Sequence, residues 1–289
     1  MTHSMTGFAT AEQIAPAGRL TWELRSVNHR YLEISLRVPE EFRVLEPDVR
    51  EVLGSRLSRG KIDANLRFTP DPAARSNELN LNAPLAEHLL ELHDRLQGMA
   101  GLKQEPDLGR LLNWPGLVVE QPPDPGPLHD AAMQALADAL IGLSAARERE
   151  GRKLAALIRE RLDGVAEQGK VVRGLLPEIR ASLEDKLLKR VADLPLPLEP
   201  GRMEQEVTLM LQKIDVAEEL DRLDAHVSEA RRALELDKPV GRRLDFLMQE
   251  FNRESNTLSS KSVDARTTQA AVELKVLIEQ MREQVQNIE

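Results

Sequence analysis

Two carboxylates four positions apart, Glu250 and Glu254, lie in the stretch LDFLMQEFNRESNTLSSKS at residues 244–262. In a helix this spacing places both on one face, where carboxylates can bind a divalent cation such as Mg²⁺. The same spacing is common on solvated helices, and Arg243 and Arg253 lie near enough in sequence to form surface ion pairs with these acids. The spacing by itself therefore leaves a metal site and a solvated acidic face both open.

A second charged line lies in KIDVAEELDRLDAHV. Asp215, Glu219, Arg222 and His226 follow one another at i, i+4, i+7 and i+11, a spacing that predicts one shared helix face. Acids, an arginine and a histidine on one face can hold a metal or a phosphate. Histidine can also act as a general base, because it titrates near neutral pH. A ladder of salt bridges on an exposed helix is the alternative, and it is the more common origin of such a pattern.

The 244–262 stretch also carries a line of polar residues that is rich in carboxamides. Asn and Ser are poor helix formers, because their side chains compete for backbone hydrogen bonds. Three explanations for this line remain open. It can face a groove for a polar ligand or partner, form a buried hydrogen-bond network between helices, or be plain solvated surface. Its members are Asp245, Gln249, Asn252, Asn256 and Ser259.

Basic residues surround a predicted turn in ELRSVNHRYLE. Asn28 and His29 suit a turn, and an arginine beside a turn can bind a phosphate through two parallel hydrogen bonds. A plain β-turn with exposed arginines is the alternative. The basic residues of this turn and of a second connection, LSRGK, are Arg25, Arg30, Arg59 and Lys61.

Composition and charge limit the classes of protein to which this chain can belong. The chain of 289 residues has a net charge of −9, 3% aromatic residues and no cysteine. The negative charge argues against a generic nucleic-acid binder, but residues 1–76 carry 11 Lys and Arg against 10 Asp and Glu, which leaves a local phosphate site open. Without cysteine, thiol nucleophiles and zinc–thiolate sites are excluded. No apolar run of about 18 residues and no secretory signal occurs, so we expect a cytoplasmic protein with no membrane span.

The elements that must position these residues begin with strands and one helix. Apolar residues alternate with polar ones in three stretches, which predicts strands that each bury one face. These stretches are 19–27, 31–39 and 61–69. Between the second and third, apolar spacing predicts a helix ended by Gly60. A further helix follows at 84–100, and then a short helix and turn within 105–118.

A Pro-rich break at 120–130 separates this part from a pattern that is helical from about 128 onwards, with interruptions at 194–202 and 237–241. Apolar residues in the last helix recur at spacings of three and four, which indicates either packing within the chain or self-association. These residues are Ala271, Leu274, Ile278, Met281, Val285 and Ile288.

The fold class predicted from these elements is α+β. We expect a β-rich N-terminal domain with helices at 1–127, a long helical connector at 128–202 and an all-helical C-terminal domain at 203–289.

Six stretches together resemble the YicC/YloC family of bacterial proteins: SMTGFA, WELRSVNHRYLE, LEP…R…RGK, EVTLMLQKIDVAEELDRLDAHV, GRRLDFLMQEFNRESNTLSSKS and ELKVLIEQMREQVQNIE. The resemblance implies an endoribonuclease that needs a divalent metal, Mn²⁺ or Mg²⁺, and cleaves single-stranded or structured RNA, including small regulatory RNA. It also implies a homo-hexamer that holds RNA in a central channel. The family motif positions in this chain are Asn28, His29, Arg30, Glu219, Arg222, His226, Asp245, Gln249, Glu250, Arg253, Glu254 and Asn256.

With this resemblance, the charged lines receive roles as hypotheses. Glu219, Glu250 and Glu254 are predicted to hold the metal, with His226 as general base and His29 as the second candidate for that role. Asn252 and Asn256 are predicted to orient sugar or base edges, or to hold subunits together. The residues predicted to contact RNA elsewhere are Arg25, Asn28, Arg30, Arg59, Lys61, Arg222 and Arg253. The alternative function is a non-catalytic RNA-binding or scaffold protein that recruits another nuclease.

Overall fold

A computed structural model describes residues 2–71, 79–101, 103–120, 125–192 and 201–289. Within these residues it shows an N-terminal sheet, one long helix and a helical C-terminal part, which confirms the predicted α+β class. The strands are β1 Gly7–Ala15, β2 Gly18–Val27, β3 Leu32–Arg37, β4 Gly60–Pro70, β5 Leu79–Leu81 and β6 Val118–Glu120. The helices are α1 Glu46–Arg56, α2 Ala83–Ala100, α3 Leu108–Leu112, α4 Pro125–Ala192, α5 Arg202–Lys213, α6 Ala217–Ala233, α7 Gly241–Lys261 and α8 Ala265–Val285, with a 3₁₀ segment Glu40–Leu45 before α1.

The main sheet has the strand order β1-β2-β4-β3, in which β3 runs parallel to β4 and the other neighbours are antiparallel. The three predicted strands correspond to β2, β3 and β4, and the alternation in β2 is confirmed, because Leu20, Trp22 and Leu24 are fully buried. Trp22 Nε1 donates a hydrogen bond of 2.8 Å to the carbonyl oxygen of Ala132 in α4. This bond fixes the inner face of the sheet to that helix.

Strand β1 was not among the predicted strands, because the residues that it buries are small. Ala9 and Ala15 are buried, whereas the large side chains of Phe8 and Ile14 lie on the exposed face. Helix α4 passes so close that a Cβ at its Gly142 would lie 3.3 Å from the Cβ of Ala9. Close packing of helix on strand requires small residues here, and a search for large alternating apolar residues misses them.

Gly60 begins a strand instead of ending a helix, so that prediction was wrong. Helix α1 ends at Arg56, and Leu57 caps it in an extended conformation. Gly60 has a φ of +107°, which L-residues rarely adopt, and a Cβ there would lie 3.3 Å from the carbonyl oxygen of Val27. The glycine therefore lets β4 start between its two neighbours, where it pairs with Leu32 of β3.

The predicted helical connector is one helix, α4, of 68 residues. At about 1.5 Å per residue it is roughly 100 Å long. It begins at Pro125, so the Pro-rich break is shorter than predicted, and residues 121–124 of that break lie outside the described residues. Residues 193–200 of the predicted interruption at 194–202 also lie outside them, and α5 begins at Arg202.

Two hydrophobic cores share α4. Near its start, Leu136 and Leu143 pack with the inner face of the sheet and with α1. Farther along, Ile158 and Leu162 pack with buried residues of α6, α7 and α8. The helix therefore joins the sheet to the helical part, while the predicted domain boundaries stay a prediction.

The apolar seam of the last helix lies inside the molecule. Leu274, Ile278 and Met281 of α8 are at most 1% exposed and belong to the same core as α6 and α7. Packing within the chain is therefore the correct alternative for this seam, and its use in self-association is wrong. The predicted interruption at 237–241 separates α6 from α7, and two further breaks that the sequence analysis missed lie at 214–216 and 262–264. Across the described ranges, no helix has the length and apolar character that a membrane span needs.

Residues 286–289 return to the first residues of the chain in an arrangement that we call the terminal clasp. Ser4 and Ile288 form an antiparallel bridge, and the backbone N–H of Met5 donates to the carbonyl oxygen of Asn287 over 2.8 Å. The backbone N–H of Glu289 donates to the carbonyl oxygen of His3 over 2.9 Å. Backbone pairing therefore ties the end of the helical part to the start of the sheet.

A buried arginine of α4 completes the terminal clasp. Arg147 is 5% exposed, its Nε donates to the carbonyl oxygen of Ser4 over 2.6 Å, and its guanidinium forms an ion pair with Glu289. Helix α4 thus contacts both strands of the clasp at once.

Candidate active site

Helices α6 and α7 bring together a histidine and two carboxylates. A ring nitrogen of His226 and one carboxylate oxygen each of Glu250 and Glu254 all lie within 4.8 Å of one another. We call these three residues the HEE cluster. The two carboxylates come from one face of α7, as their spacing predicted, and the histidine comes from the facing side of α6.

The apolar line of α7 positions the HEE cluster. Leu244, Leu247 and Phe251 are buried in the core, and their burial fixes the rotation of the helix. The ring of Phe251 meets the ring of His226 edge-on, with 5.8 Å between centroids. The imidazole is therefore held against the core on one side, while one of its ring nitrogens lies beside the carboxylates.

Two buried polar atoms of the HEE cluster have no hydrogen-bond partner in the described structure, His226 Nε2 and Glu254 Oε2. Buried polar atoms of this kind are almost always paired, so each needs an explanation. An imidazole nitrogen and carboxylate oxygens form a donor set that binds divalent transition-metal ions well. The residues present therefore fit the divalent cation that the sequence resemblance implies.

Arg222 holds the other oxygen of Glu254. The Nε atom of this arginine lies 3.0 Å from Glu254 Oε1, and its Nη1 donates to Glu218 Oε1 over 2.6 Å. Partial burial of the guanidinium acts to lower its pKa, but the contact with Glu254 and the charges of Glu254, Glu218 and Glu219 together raise the pKa above its usual value. The arginine therefore stays charged and fixes Glu254 with its second oxygen directed away from the ion pair.

Glu219, predicted as a metal ligand, lies outside the HEE cluster and in a separate ion-pair network. Its side chain is 4% exposed, and Lys261 Nζ donates to its Oε1 over 2.8 Å. Arg222 Nη2 lies 3.6 Å from the same oxygen. Two cations thus already contact this carboxylate, although its Oε2 has no partner in the described structure.

Asp215 does not share the helix face predicted for it. It precedes α6, which begins at Ala217, and its Oδ1 accepts a hydrogen bond of 3.1 Å from the backbone N–H of that alanine. The predicted i, i+4, i+7, i+11 line is therefore wrong at its first position. Glu219, Arg222 and His226 do lie on one helix.

The polar line of α7 borders a groove of about 450 Å³ between α7 and α8. The groove lies on a different side of α7 from the two glutamates, roughly 140° around the helix axis. Asn256 Nδ2 donates to Asn252 Oδ1 over 3.3 Å, and Gln249 donates to Asp245 over 3.2 Å. The residues that line the groove are Met248, Gln249, Asn252, Arg253, Asn256, Thr257 and Arg282.

The predicted turn at Asn28 and His29 connects β2 to β3. His29 Nδ1 lies 3.0 Å from the carbonyl oxygen of Tyr31, and its Nε2 lies 3.9 Å from Glu33. Asn28 Nδ2 donates to the carbonyl oxygen of Gln286 over 2.7 Å, so this predicted RNA contact forms part of the terminal clasp.

The predicted basic residues near this turn lie on strands or in loops of the N-terminal part. Arg30 stacks over the ring of Tyr31, 5.2 Å from its centroid. Lys61 Nζ lies 3.4 Å from Glu33, Arg25 is exposed on β2, and Arg59 precedes β4. Among the described residues, no hydrogen bond or ion pair connects these side chains to the HEE cluster.

Two cations that were not among the predicted site residues contact Glu219 and the groove, Lys261 and Arg282 respectively. Lys261 follows Glu254 by seven residues, which is two helical turns, so extension of the acidic line along α7 would have found it. Arg282 borders the groove from α8, and only the packing of two helices brings it there. No local pattern in the sequence signals such a contact.

The fold and the HEE cluster together define an α+β protein with a candidate cation site in its helical part. Two family models match the chain, one after the other along the sequence. They are "Endoribonuclease YicC-like, N-terminal region" over residues 2–156 and "Endoribonuclease YicC-like, C-terminal" over residues 172–289. The chain belongs to the YicC-like endoribonuclease family.

Two curated relatives extend over the whole chain. A protein of Haemophilus influenzae named "Probable endoribonuclease YicC" is 47% identical over 289 residues, with all of both chains covered. A protein of Clostridioides difficile with the same name is 31% identical over 295 residues, again with all of both chains covered.

Proposed function

We propose that this protein is an endoribonuclease whose activity depends on a divalent cation, Mn²⁺ or Mg²⁺, held by His226, Glu250 and Glu254. The observation that carries the proposal is the convergence of three ligand-type side chains within 4.8 Å, two of which have an unpartnered buried atom. Membership of a family of endoribonucleases, and the names of two full-length relatives, support RNA as the substrate.

The cluster revises two roles that were predicted from the sequence. We assign His226 to the cation, because its ring nitrogen lies beside both carboxylates, and no longer to proton transfer. Glu219 is assigned to support, because Lys261 and Arg222 already contact it. His29 then remains the candidate general base.

When bound, the cation supplies Lewis-acid polarisation of a phosphodiester and a lower pKa for water beside it. The protein's own residues orient the metal ligands, shield them and bind the substrate. Arg222 holds Glu254 by one oxygen, Phe251 shields one side of His226, and the exposed Arg253 on the next part of α7 can bind a backbone phosphate. Single-stranded or structured RNA, including small regulatory RNA, is the substrate class that the family resemblance supports.

We also propose that the protein acts in the cytoplasm as a homo-oligomer, with the hexamer as the expected form. Helices α2 and α3 confirm the helices predicted in 84–118, but neither contains a buried residue. Leu96, Met99 and Trp114 are 64%, 86% and 52% exposed. Neighbouring apolar side chains that are exposed in this way are typical of a surface covered by a protein partner. Native mass spectrometry of the purified protein tests the assembly.

The decisive experiment compares cleavage of an end-labelled structured RNA by the wild-type protein and by Glu250→Gln/Glu254→Gln. We expect cleavage with Mn²⁺ or Mg²⁺, none with EDTA, and a loss on the order of a hundredfold in the variant. Titration of Mn²⁺, followed by electron paramagnetic resonance, should show the corresponding loss of binding.

The control for this experiment is Glu87→Gln/Glu91→Gln, which removes an exposed acidic pair of the same spacing from α2. It should cleave like the wild type. RNA binding without cleavage under either metal would instead support the scaffold function, and full activity of the Glu250/Glu254 variant would refute the metal assignment.

A further inference from the structure

We propose that the groove between α7 and α8 binds one nucleotide of the substrate, its base against Asn252 and Asn256 and its phosphate against Arg253 and Arg282. The identity of the ligand as RNA rests on the proposed function. The proposal of a subsite rests on the groove and on the hydrogen bonds and ion pairs that its lining side chains make or lack.

The chemistry of the lining suits an anion with polar edges. Two arginines and three carboxamide side chains border the groove, and no carboxylate does. On a chain with a net charge of −9, a surface lined by arginines and by no carboxylate is suited to bind a polyanion. The volume of about 450 Å³ lies within the range of small-molecule sites and is large enough for a nucleotide.

In the described structure the two asparagines leave one amide nitrogen and one amide oxygen without any hydrogen bond. Because Asn256 Nδ2 donates to Asn252 Oδ1, the amide nitrogen of Asn252 and the carbonyl oxygen of Asn256 remain available. A reversal of both amides would still leave one donor and one acceptor. Bases carry adjacent donors and acceptors on their edges, and Asn side chains bind them through such pairs. This explains why a helix carries carboxamides that lower its intrinsic stability.

The arginines of the groove remain available for a phosphate. In the described part of the chain, the guanidinium of Arg253 has no hydrogen bond or ion pair, and that of Arg282 has only Glu279, at 3.7 Å. Arg222, by contrast, contacts three carboxylates. Unlike Arg222, the two arginines of the groove are therefore suited to bind a ligand.

Arg253 links the groove to the HEE cluster. It follows Glu250 by three residues and immediately precedes Glu254, so its side chain emerges between the polar line and the acidic face. Residues three apart on a helix have Cβ atoms about 5–6 Å apart, which is close to the spacing of successive phosphates. A strand with one nucleotide in the groove would thus pass Arg253 and present a neighbouring phosphodiester to the cluster, so the groove would select the bond that is cut.

Binding can be measured apart from cleavage. Fluorescence anisotropy with a labelled single-stranded oligoribonucleotide, in EDTA and in the Glu250→Gln/Glu254→Gln background, reports affinity alone. Arg282→Gln should weaken binding about tenfold and reduce the slope of log K against log salt by about 0.7, the value for one phosphate contact on a single strand. Lys275→Gln removes a positive charge from the same helix outside the groove and should leave both values unchanged.

Cleavage maps test the role of the asparagines. With the wild-type metal site intact, Asn256→Leu should redistribute the cut positions on a structured RNA, because a base contact is lost, while the affinity for Mn²⁺ stays the same. Wild-type affinity, salt slope and cut positions in both variants would overturn the subsite.

Loss of assembly is measured in the same samples by native mass spectrometry. If Arg282→Gln or Asn256→Leu dissociates the oligomer, the groove is an interface between copies and the subsite is wrong. If the wild-type protein binds RNA but cuts none, the proposed activity fails while the binding assay still decides the subsite.

Discussion

The composition of the HEE cluster depends on which carboxylates are already paired. Glu219 and Glu254 are both buried, at 3% exposed each, but their partners differ. Lys261 and Arg222 share one oxygen of Glu219, whereas Glu254 has Arg222 on one oxygen and His226 nearby. Cations outside the cluster therefore determine which carboxylate oxygens remain available for the proposed metal ion.

Removal of Lys261 should show this dependence. Lys261→Met leaves the buried Glu219 with only its longer contact to Arg222, at 3.6 Å. We therefore expect the free energy of unfolding to fall by about 2 kcal/mol, less than the roughly 3–5 kcal/mol of a fully buried pair, because the lysine is about one-third exposed. Urea denaturation measures this change in the free energy of unfolding. Lys189→Met breaks the exposed pair with Asp185 and should change stability by less than about 0.5 kcal/mol. Equal effects of the two variants would contradict the network.

For single residues, the sequence predicts well which face of a helix a side chain occupies, but it predicts poorly which side chains of other helices it contacts. The spacing of Glu250, Glu254 and the apolar line is local, so the helix geometry alone separates the acidic face from the buried face. The contacts of Lys261 with Glu219 and of Arg282 with the groove join residues of different helices. Such contacts depend on how the helices pack, which a single sequence does not specify.

Among the elements, α4 shows most clearly what local patterns can predict. Its helical character from about 128 onwards is evident from the sequence, whereas its start at Pro125, among Pro-rich residues, is not, and the helix continues through Pro177. Packing against two cores compensates for these residues. Strand β1 shows the opposite case, in which small buried residues conceal a regular element.

Two glycines of α4 offer a matched test of this close packing. A Cβ at Gly151 would overlap the backbone of Thr2, whereas nothing lies within 4 Å of a Cβ at Gly174. Gly151→Ala should therefore lower the free energy of unfolding by about 1–3 kcal/mol. Gly174→Ala should raise it by about 0.5–1 kcal/mol, because alanine favours the helix. Thermal unfolding followed by circular dichroism compares them, and the same sign for both would contradict the packing described.

For the whole molecule, the terminal clasp is a second connection between the sheet and the helical part, in addition to α4. It gives Asn28 a structural contact, since its amide bonds to Gln286. Three of the stretches that carry the family resemblance, SMTGFA, SVNHR and QNIE, meet in this one region. They are far apart in the sequence, and nothing in their composition predicts that they lie together.

Arg147 is the residue on which the terminal clasp depends most. Arg147→Met leaves Glu289 and the Ser4 carbonyl oxygen without their buried partner, so we expect a loss of about 3 kcal/mol of stability. Hydrogen exchange should also become faster at residues 286–289. Arg152→Met removes an exposed arginine of the same helix, paired with Glu148, and should leave that exchange rate unchanged. Protection of 286–289 that is unaffected by Arg147→Met would refute this role.

The terminal clasp also bears on the order in which the molecule is completed during translation. Asn28 and Gln286 are 258 positions apart, and Ser4 can form its bridge with Ile288 only when that residue has been synthesised. Domains generally fold as units, N-terminal first, while the chain emerges from the ribosome. Ser4 and Met5, which precede β1, can bond to Arg147 and Ser26 before then, but their partners in residues 286–289 are synthesised last. We therefore expect the residues before β1 to become fully ordered only after the strands of the sheet have paired with one another.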